Sequence, residues 1–143
     1  MSAAGDKINI MTNEELIKKA ESVLNQHKSN DRQFGDVGAA LLSTNGVVHT
    51  GVSVDTPSWG LCAERSAIAA MVTAGEFRIN SIVAVWRDEH DAKLYVLPPC
   101  GYCRQFMRDV DEANLETKVI LGKIDEALLK ELLPRFEWPQ PLV

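Results

Sequence analysis

No window of about 18 consecutive apolar residues occurs in this chain, so a membrane-spanning helix is not expected. Met1 to Ile10 likewise carries no apolar stretch of signal-peptide length, and a cytoplasmic location is expected. Basic residues are scarce: 15 Lys and Arg stand against 20 Asp and Glu, a formal net charge of -5. Polynucleotide affinity rests largely on cations that replace phosphate counterions, so this deficit argues against an extended nucleic-acid surface and favours a small-molecule substrate. Cysteine is limited to three residues, and Cys100 and Cys103 are separated by only two others. An odd count explains a disulfide framework poorly and metal binding in a reducing compartment well.

The remaining composition is that of a globular chain, with 45% hydrophobic and 24% charged residues. A chain of this length buries roughly 70% of the surface exposed when unfolded. No repeat, low-complexity tract or Gly/Ser-rich linker divides it, so a single domain over 12–143 is expected, after a flexible lead-in over 1–11.

Thr12 and Glu15 have the spacing of a capping box, opening a helix that buries Leu16, Ile17, Ala20, Val23 and Leu24. Asp36 to Leu42 and Val47 to Val54 are apolar runs joined by Ser43-Thr44-Asn45-Gly46, a hairpin signal. A helix is predicted from Cys62 to Thr73, with Gly75 as its C-terminal cap. Ser81 to Trp86 and Lys93 to Leu97 read as strands, and a further helix starts near Gly101. Lys118 to Leu121 is a last strand, followed by a helix from about Asp125 to Leu133 that Pro134 ends. Alternating helices and strands predict a layered α/β domain. The tail from Pro134 to Val143 carries Phe136 and Trp138 and is expected to lie across another surface.

Cys62-Ala63-Glu64 at one helix start and Pro99-Cys100-Gly101-Tyr102-Cys103 at another bring three thiols to where two helix N-termini could converge. The partial positive charge of a helix start favours the thiolate that binds metal, and zinc suits sulfur ligation. Structural zinc sites close with four protein ligands, whereas catalytic ones keep three and an open position. No fourth cysteine exists, although His27, His49 or His90 could fold back to close the site. A redox Cys-x-x-Cys pair is also open, but leaves Cys62 and Glu64 unexplained. Glu64, two residues after a ligand, suits a proton shuttle between water activated at the metal and the leaving group; otherwise it is an ordinary first-turn Glu. Three thiolates against one divalent ion leave net negative charge. Arg65, on the Cys62 helix, is the candidate to donate to the sulfurs, with Arg104 a second, and the plain alternative is a surface Arg.

Cys62-Ala63-Glu64-Arg65-Ser66-Ala67-Ile68 together with Pro99-Cys100-Gly101-Tyr102-Cys103-Arg104-Gln105 resembles the two zinc motifs of the homotetrameric cytidine deaminases. Further similarity lies in Val37-Gly38-Ala39-Ala40, Gly51-Val52-Ser53-Val54 and Glu131-Leu132-Leu133-Pro134. The resemblance implies a three-layer α/β/α sandwich with a five-stranded mixed sheet, a Zn2+ cofactor, and a homotetramer whose active sites are shared between subunits. It also implies hydrolytic loss of the C4 amine of a cytosine nucleoside, giving the uracil nucleoside and ammonia, in pyrimidine salvage.

Substrate-binding candidates follow from the same resemblance. Ser53 and Asp55 stand where the family typically has Asn and Glu for the ribose hydroxyls; their shorter side chains set the polar atoms back by about one bond each. Ala63 lies at the Cys62 helix start, whose backbone N–H groups can donate to the attacking oxygen. Phe34 is one place early for the family's base-stacking aromatic. Trp59, in a loop shorter than is usual, is either an aromatic wall or packing beneath the Cys62 helix. Phe136 either closes a neighbouring subunit's base pocket or covers its own core. The loop length and Leu132-Leu133-Pro134-Arg135-Phe136-Glu137-Trp138 are similar to the blasticidin S deaminases, so an aminonucleoside antibiotic or another aminopyrimidine is an alternative substrate. A noncatalytic zinc-stabilised binding module is the alternative from another class.

Overall fold

The computed structural model describes residues 11–24 and 27–142. Residues 1–10 of the expected lead-in therefore lie outside the described residues.

The first helix, α1 (Asn13–Glu21), starts as predicted. Thr12 accepts from the Glu15 N–H and the Glu15 carboxylate accepts from the Thr12 N–H. Two short strands, β1 (His27–Ser29) and β2 (Arg32–Phe34), then form an exposed hairpin that the sequence analysis did not anticipate. Asn30 takes its turn at φ 54°, a left-handed conformation that Asn tolerates.

Next come β3 (Val37–Ser43), β4 (Val48–Val52), β5 (Val54–Asp55), β6 (Gly60–Leu61) and helix α2 (Ala63–Thr73). Strands β7 (Ile79–Arg87) and β8 (Leu94–Leu97) precede helix α3 (Gly101–Val110) and a 3₁₀ turn over Glu112–Glu116. The chain continues through β9 (Lys118–Ile120), β10 (Glu126–Leu128) and the short helix α4 (Leu129–Leu132).

The predicted run from Val47 to Val54 is interrupted at Ser53, which turns back to β3: its N–H donates to the Val37 carbonyl and its Oγ accepts from the Val37 N–H. The helix predicted over 125–133 is a correction. Glu126–Leu128 pairs antiparallel with β9, and only Leu129–Leu132 is helical. The Asp125 carbonyl accepts from the Leu121 N–H, closing a tight turn between the strands, while Glu131 caps the Leu128 N–H. Apolar spacing alone could not distinguish this strand-then-turn from one helix.

The central sheet is mixed, in the order β10-β9-β7-β3-β4, with β8 also paired to β7. It thus has six strands, the short β10 being one more than the five expected. Among the described strands, only β7 and β9 pair in parallel. Alternate residues of β3 and β7 serve opposite cores, which explains why these strands read as continuous apolar runs. Ala39, Leu41, Ile82 and Ala84 pack under α2 and α3 with Ala67, Ile68, Met71 and Met107. Ala40, Leu42, Val83 and Val85 pack against Leu16, Ala20 and Leu24 from α1. The result is the three-layer sandwich. No helix among the described residues is long and apolar enough to cross a membrane.

Two glycines set the position of α2. A Cβ at Gly51 of β4 would lie 2.3 Å from the Ala67 backbone nitrogen, so the close approach of strand and helix requires its absence. Gly75, at φ 85°, ends α2. The Gly75 N–H donates to Val72 and the Glu76 N–H to Met71, a Schellman arrangement. This turn carries Glu76 back to the β3–β4 hairpin, where His49, Asn45 and Ser43 bond its carboxylate.

Candidate active site

The site is assembled where the two predicted helix starts meet. Strand β6 runs back along β5, pairing Gly60 with Asp55 and Leu61 with Val54. Thr56 closes the loop between them through its hydroxyl, which bonds both the carbonyl and the N–H of Trp59. Cys62 is therefore delivered to the N-cap of α2. Cys100 occupies the N-cap of α3, and its Sγ accepts from the Cys103 N–H at 3.4 Å. Arg104 fastens this second loop: its Nε donates to the Pro99 carbonyl (2.8 Å) and its Nη1 to the Leu132 carbonyl (3.1 Å). It is tied to the backbone rather than to the sulfurs.

The three sulfurs lie within 4.8 Å of one another. Cys62 Sγ is 3.7 Å from Cys100 Sγ, and Cys100 Sγ is 3.4 Å from Cys103 Sγ. Tetrahedral zinc with Zn–S bonds of about 2.3 Å needs sulfurs roughly 3.8 Å apart, so the donor set fits that ion closely. Among the described residues no His, Asp or Glu joins the cluster. His49 is engaged with Glu76 at 2.7 Å, and His27 and His90 are exposed. The cluster keeps three donors.

The thiols differ in their surroundings. Burial, followed by the nearby Glu64 carboxylate and the other sulfurs, pushes the Cys103 thiol well up. Burial also raises Cys100, but N–H donors from Cys103 and Tyr102 and the neighbouring thiols outweigh it and draw Cys100 down. Holding all three as thiolates therefore calls for a cation, which a divalent metal supplies. Arg65 Nη2 donates to Cys62 Sγ at 3.6 Å, as the sequence suggested. Glu64, 6% exposed, has its carboxyl raised by burial against the opposing pull of its own N–H and Arg65.

A cleft of about 480 Å³ opens beside the sulfurs. Its lining includes Cys62, Ala63, Glu64, Cys100, Ser53 and Asp55, so six of the predicted site residues share one cavity. The Ser53 hydroxyl is already engaged by Val37, whereas Asp55 is exposed to the cleft. Trp59 lies against Arg65 and not in the lining. Phe34 lies on the β1–β2 hairpin and lines a separate hollow with Ser29 to Arg32. Phe136 packs on Arg108, 5.5 Å from guanidinium to ring centre. The sequence analysis missed Asp36 and Trp86, which line the same cleft. Trp86 is the one aromatic in that lining. It is the penultimate residue of the longest strand, β7, a signal that gained meaning only with β7 lying beside β3.

A sulfur-rich centre with three donors, open to a cleft that contains a buried carboxyl group, is the arrangement of a catalytic zinc site rather than a structural one. A zinc ion held there would suit hydrolytic chemistry on a small molecule bound in the cleft. The chain belongs to the cytidine and deoxycytidylate deaminase family, whose zinc-binding region model matches residues 11–118. It is 41% identical over 104 residues to a cytidine deaminase of Halalkalibacterium halodurans, covering 68% of this chain and 74% of that one. It is 31% identical over 103 residues to a blasticidin-S deaminase of Bacillus cereus, covering 68% and 74%. A cytidine deaminase structure from Burkholderia pseudomallei superposes with a TM-score of 0.69 at 29% identity, covering 87% of this chain and 98% of that one.

Proposed function

We propose that the protein catalyses hydrolytic deamination at C4 of a cytosine nucleoside, converting it with one water to the uracil nucleoside and ammonia. The observation that carries this reading is the three-sulfur cluster of Cys62, Cys100 and Cys103, with Glu64 lining the same cleft. Cys62, Cys100 and Cys103 would hold a zinc ion, whose Lewis acidity, when bound, would activate water toward the ring carbon. Glu64 takes the two protons of the attacking water in turn, passing the first to the ring nitrogen as the C4–O bond forms and the second to the departing amine as the C4–N bond breaks. The start of α2, with Ala63 in the lining, directs backbone N–H dipoles at the oxygen that carries developing charge. Asp36 and Asp55 line the cleft with no Lys or Arg, which favours a nucleoside over a nucleotide phosphate. Ser53 and Asp55 are the sugar-side contacts.

A second reading, an aminonucleoside antibiotic such as blasticidin S, draws support from the 31% identity to a blasticidin-S deaminase. The decisive assay follows loss of the cytosine absorbance across cytidine, deoxycytidine, N4-substituted cytidines, deoxycytidylate and blasticidin S. Consumption of the plain nucleosides by protein holding about one zinc per chain is expected. Zinc-loaded protein that consumes none of them would overturn the assignment.

In this reading residues 12–143 form one catalytic domain, working in the cytoplasm in pyrimidine salvage. Four copies assemble and share their sites. The exposed Trp138 and Phe77 are apolar surface suited to such contacts. Light scattering is expected to give the mass of four chains.

A further inference from the structure

Arg65 is held by more than its sulfur contact. Its guanidinium lies 4.0 Å from the ring centre of Tyr102 and 5.3 Å from that of Trp59. The side chain is buried, at 6% exposure, although the rings beside it are 60% and 59% exposed. Its hydrogen bonds go to sulfur, a weak acceptor: Nη2 reaches Cys62 Sγ at 3.6 Å, Cys103 is a second sulfur partner, and the buried Nε has no partner. Fixing an arginine side chain costs its rotamer freedom, which weak contacts to sulfur do little to offset. The aromatic faces supply the missing restraint, since a guanidinium over a π-face is attracted most strongly where water is excluded. Tyr102 sits between two of the cysteines in sequence, and Trp59 is three residues before the third. Neither ring lines the substrate cleft.

We propose that Tyr102 and Trp59 are positioning residues that clamp Arg65 beside the thiol cluster, so that its fixed charge offsets the negative charge of the three thiolates. The proposal rests on the metal-centre reading above. It assigns a purpose to two exposed aromatics that the deamination chemistry does not itself use.

The test is a double-mutant cycle on the full chain, with Tyr102→Ala and Arg65→Ala singly and combined, and Tyr102→Phe and Tyr102→Leu as controls. The first readout is the sulfur-to-metal charge-transfer band of cobalt-substituted protein. Loss of a positive charge beside a thiolate raises the donor level, so Arg65→Ala is expected to move the band to lower energy. Tyr102→Ala is expected to move it part of the way, Tyr102→Phe not at all, and Tyr102→Leu as Ala does. Added to Arg65→Ala, Tyr102→Ala is expected to produce no further shift. The second readout is kinetic: Tyr102→Ala is expected to lower kcat roughly three- to tenfold, the scale of a partly desolvated cation–π contact, with KM within about twofold.

An unshifted band in Tyr102→Ala overturns the clamp, as does a Tyr102→Ala shift of equal size with Arg65 absent. A Tyr102→Phe variant that behaves like Ala also overturns it, because the hydroxyl would then be the active group. The spectral arm reads the clamp whether or not a cytosine nucleoside is turned over. Cobalt failing to bind wild type with a thiolate spectrum would instead overturn the metal-centre reading.

Discussion

Glu64 and Trp86 pose opposite problems at the scale of single residues. Glu64 carries its chemistry in a side chain that a Gln can mimic in shape but not in proton transfer. Glu64→Gln is expected to retain about one zinc per chain while turnover falls by roughly 10²–10⁴, the usual worth of a general acid–base group. Metal analysis alongside the absorbance assay checks this, and near-normal turnover would remove Glu64 from the shuttle role. Trp86 offers the one ring in the lining and packs at a tilt against Tyr95, with ring centres 5.7 Å apart. Base–aromatic stacking is worth about 1–3 kcal/mol, so Trp86→Ala is expected to raise KM about tenfold with metal content unchanged. Glu64 was legible in the sequence because its spacing from Cys62 is local, and one helix turn fixes their relation. Trp86 was not, because its place in the cleft depends on the pairing of β7 with β3, and nothing within a few residues of it encodes that neighbour.

Among the elements, α2 carries both the first cysteine and the carboxyl group, so its placement governs the site. Its C-terminal end is fixed by Glu76, which accepts from Ser43 and Asn45 and pairs with His49 of the β3–β4 hairpin. The His49 contact first, then Asn45, hold the Glu76 carboxyl below the ordinary glutamate range. A group depressed in the folded state stabilises it fully above its unfolded value, and that contribution is lost as pH falls through the ordinary range to the folded value. Glu76→Gln is therefore expected to be less stable than wild type at neutral pH, with the difference narrowing below about pH 4. Urea midpoints at both pH values measure it, and a gap that stays constant would exclude the linkage. The hairpin was readable from Asn45-Gly46 and the helix from its period and Gly75. The segment 125–133 was not, since its apolar positions Ala127, Leu128, Leu129, Leu132 and Leu133 fit either a strand entering a turn or a helix, and the antiparallel partner β9 decided between them.

On the scale of the whole molecule, the sequence specified a layered α/β chain but not the order of its sheet. Strand order is set by crossovers over long separations, and the single parallel pair, β7 with β9, is bridged by β8, α3 and the 3₁₀ turn. The cysteines stand where most helices place Ser, Thr, Asp or Asn, because N-cap oxygens satisfy backbone donors that thiols bond weakly. Cys62 makes no side-chain cap at all. The α2 start thus forgoes a routine source of stability in order to present sulfur, the α3 start keeps only the N–H to sulfur cap from Cys103 to Cys100, and metal supplies the missing cohesion. Chelation of the wild-type protein is expected to lower its melting temperature, whereas Cys62→Ser should melt above wild type when both are stripped and below it when both are supplied with zinc. Calorimetry with and without chelator checks the crossing. It would also mean that folding yield in a host tracks its zinc supply, so that trace-metal economy, and not temperature alone, limits how much of this protein a cell can keep.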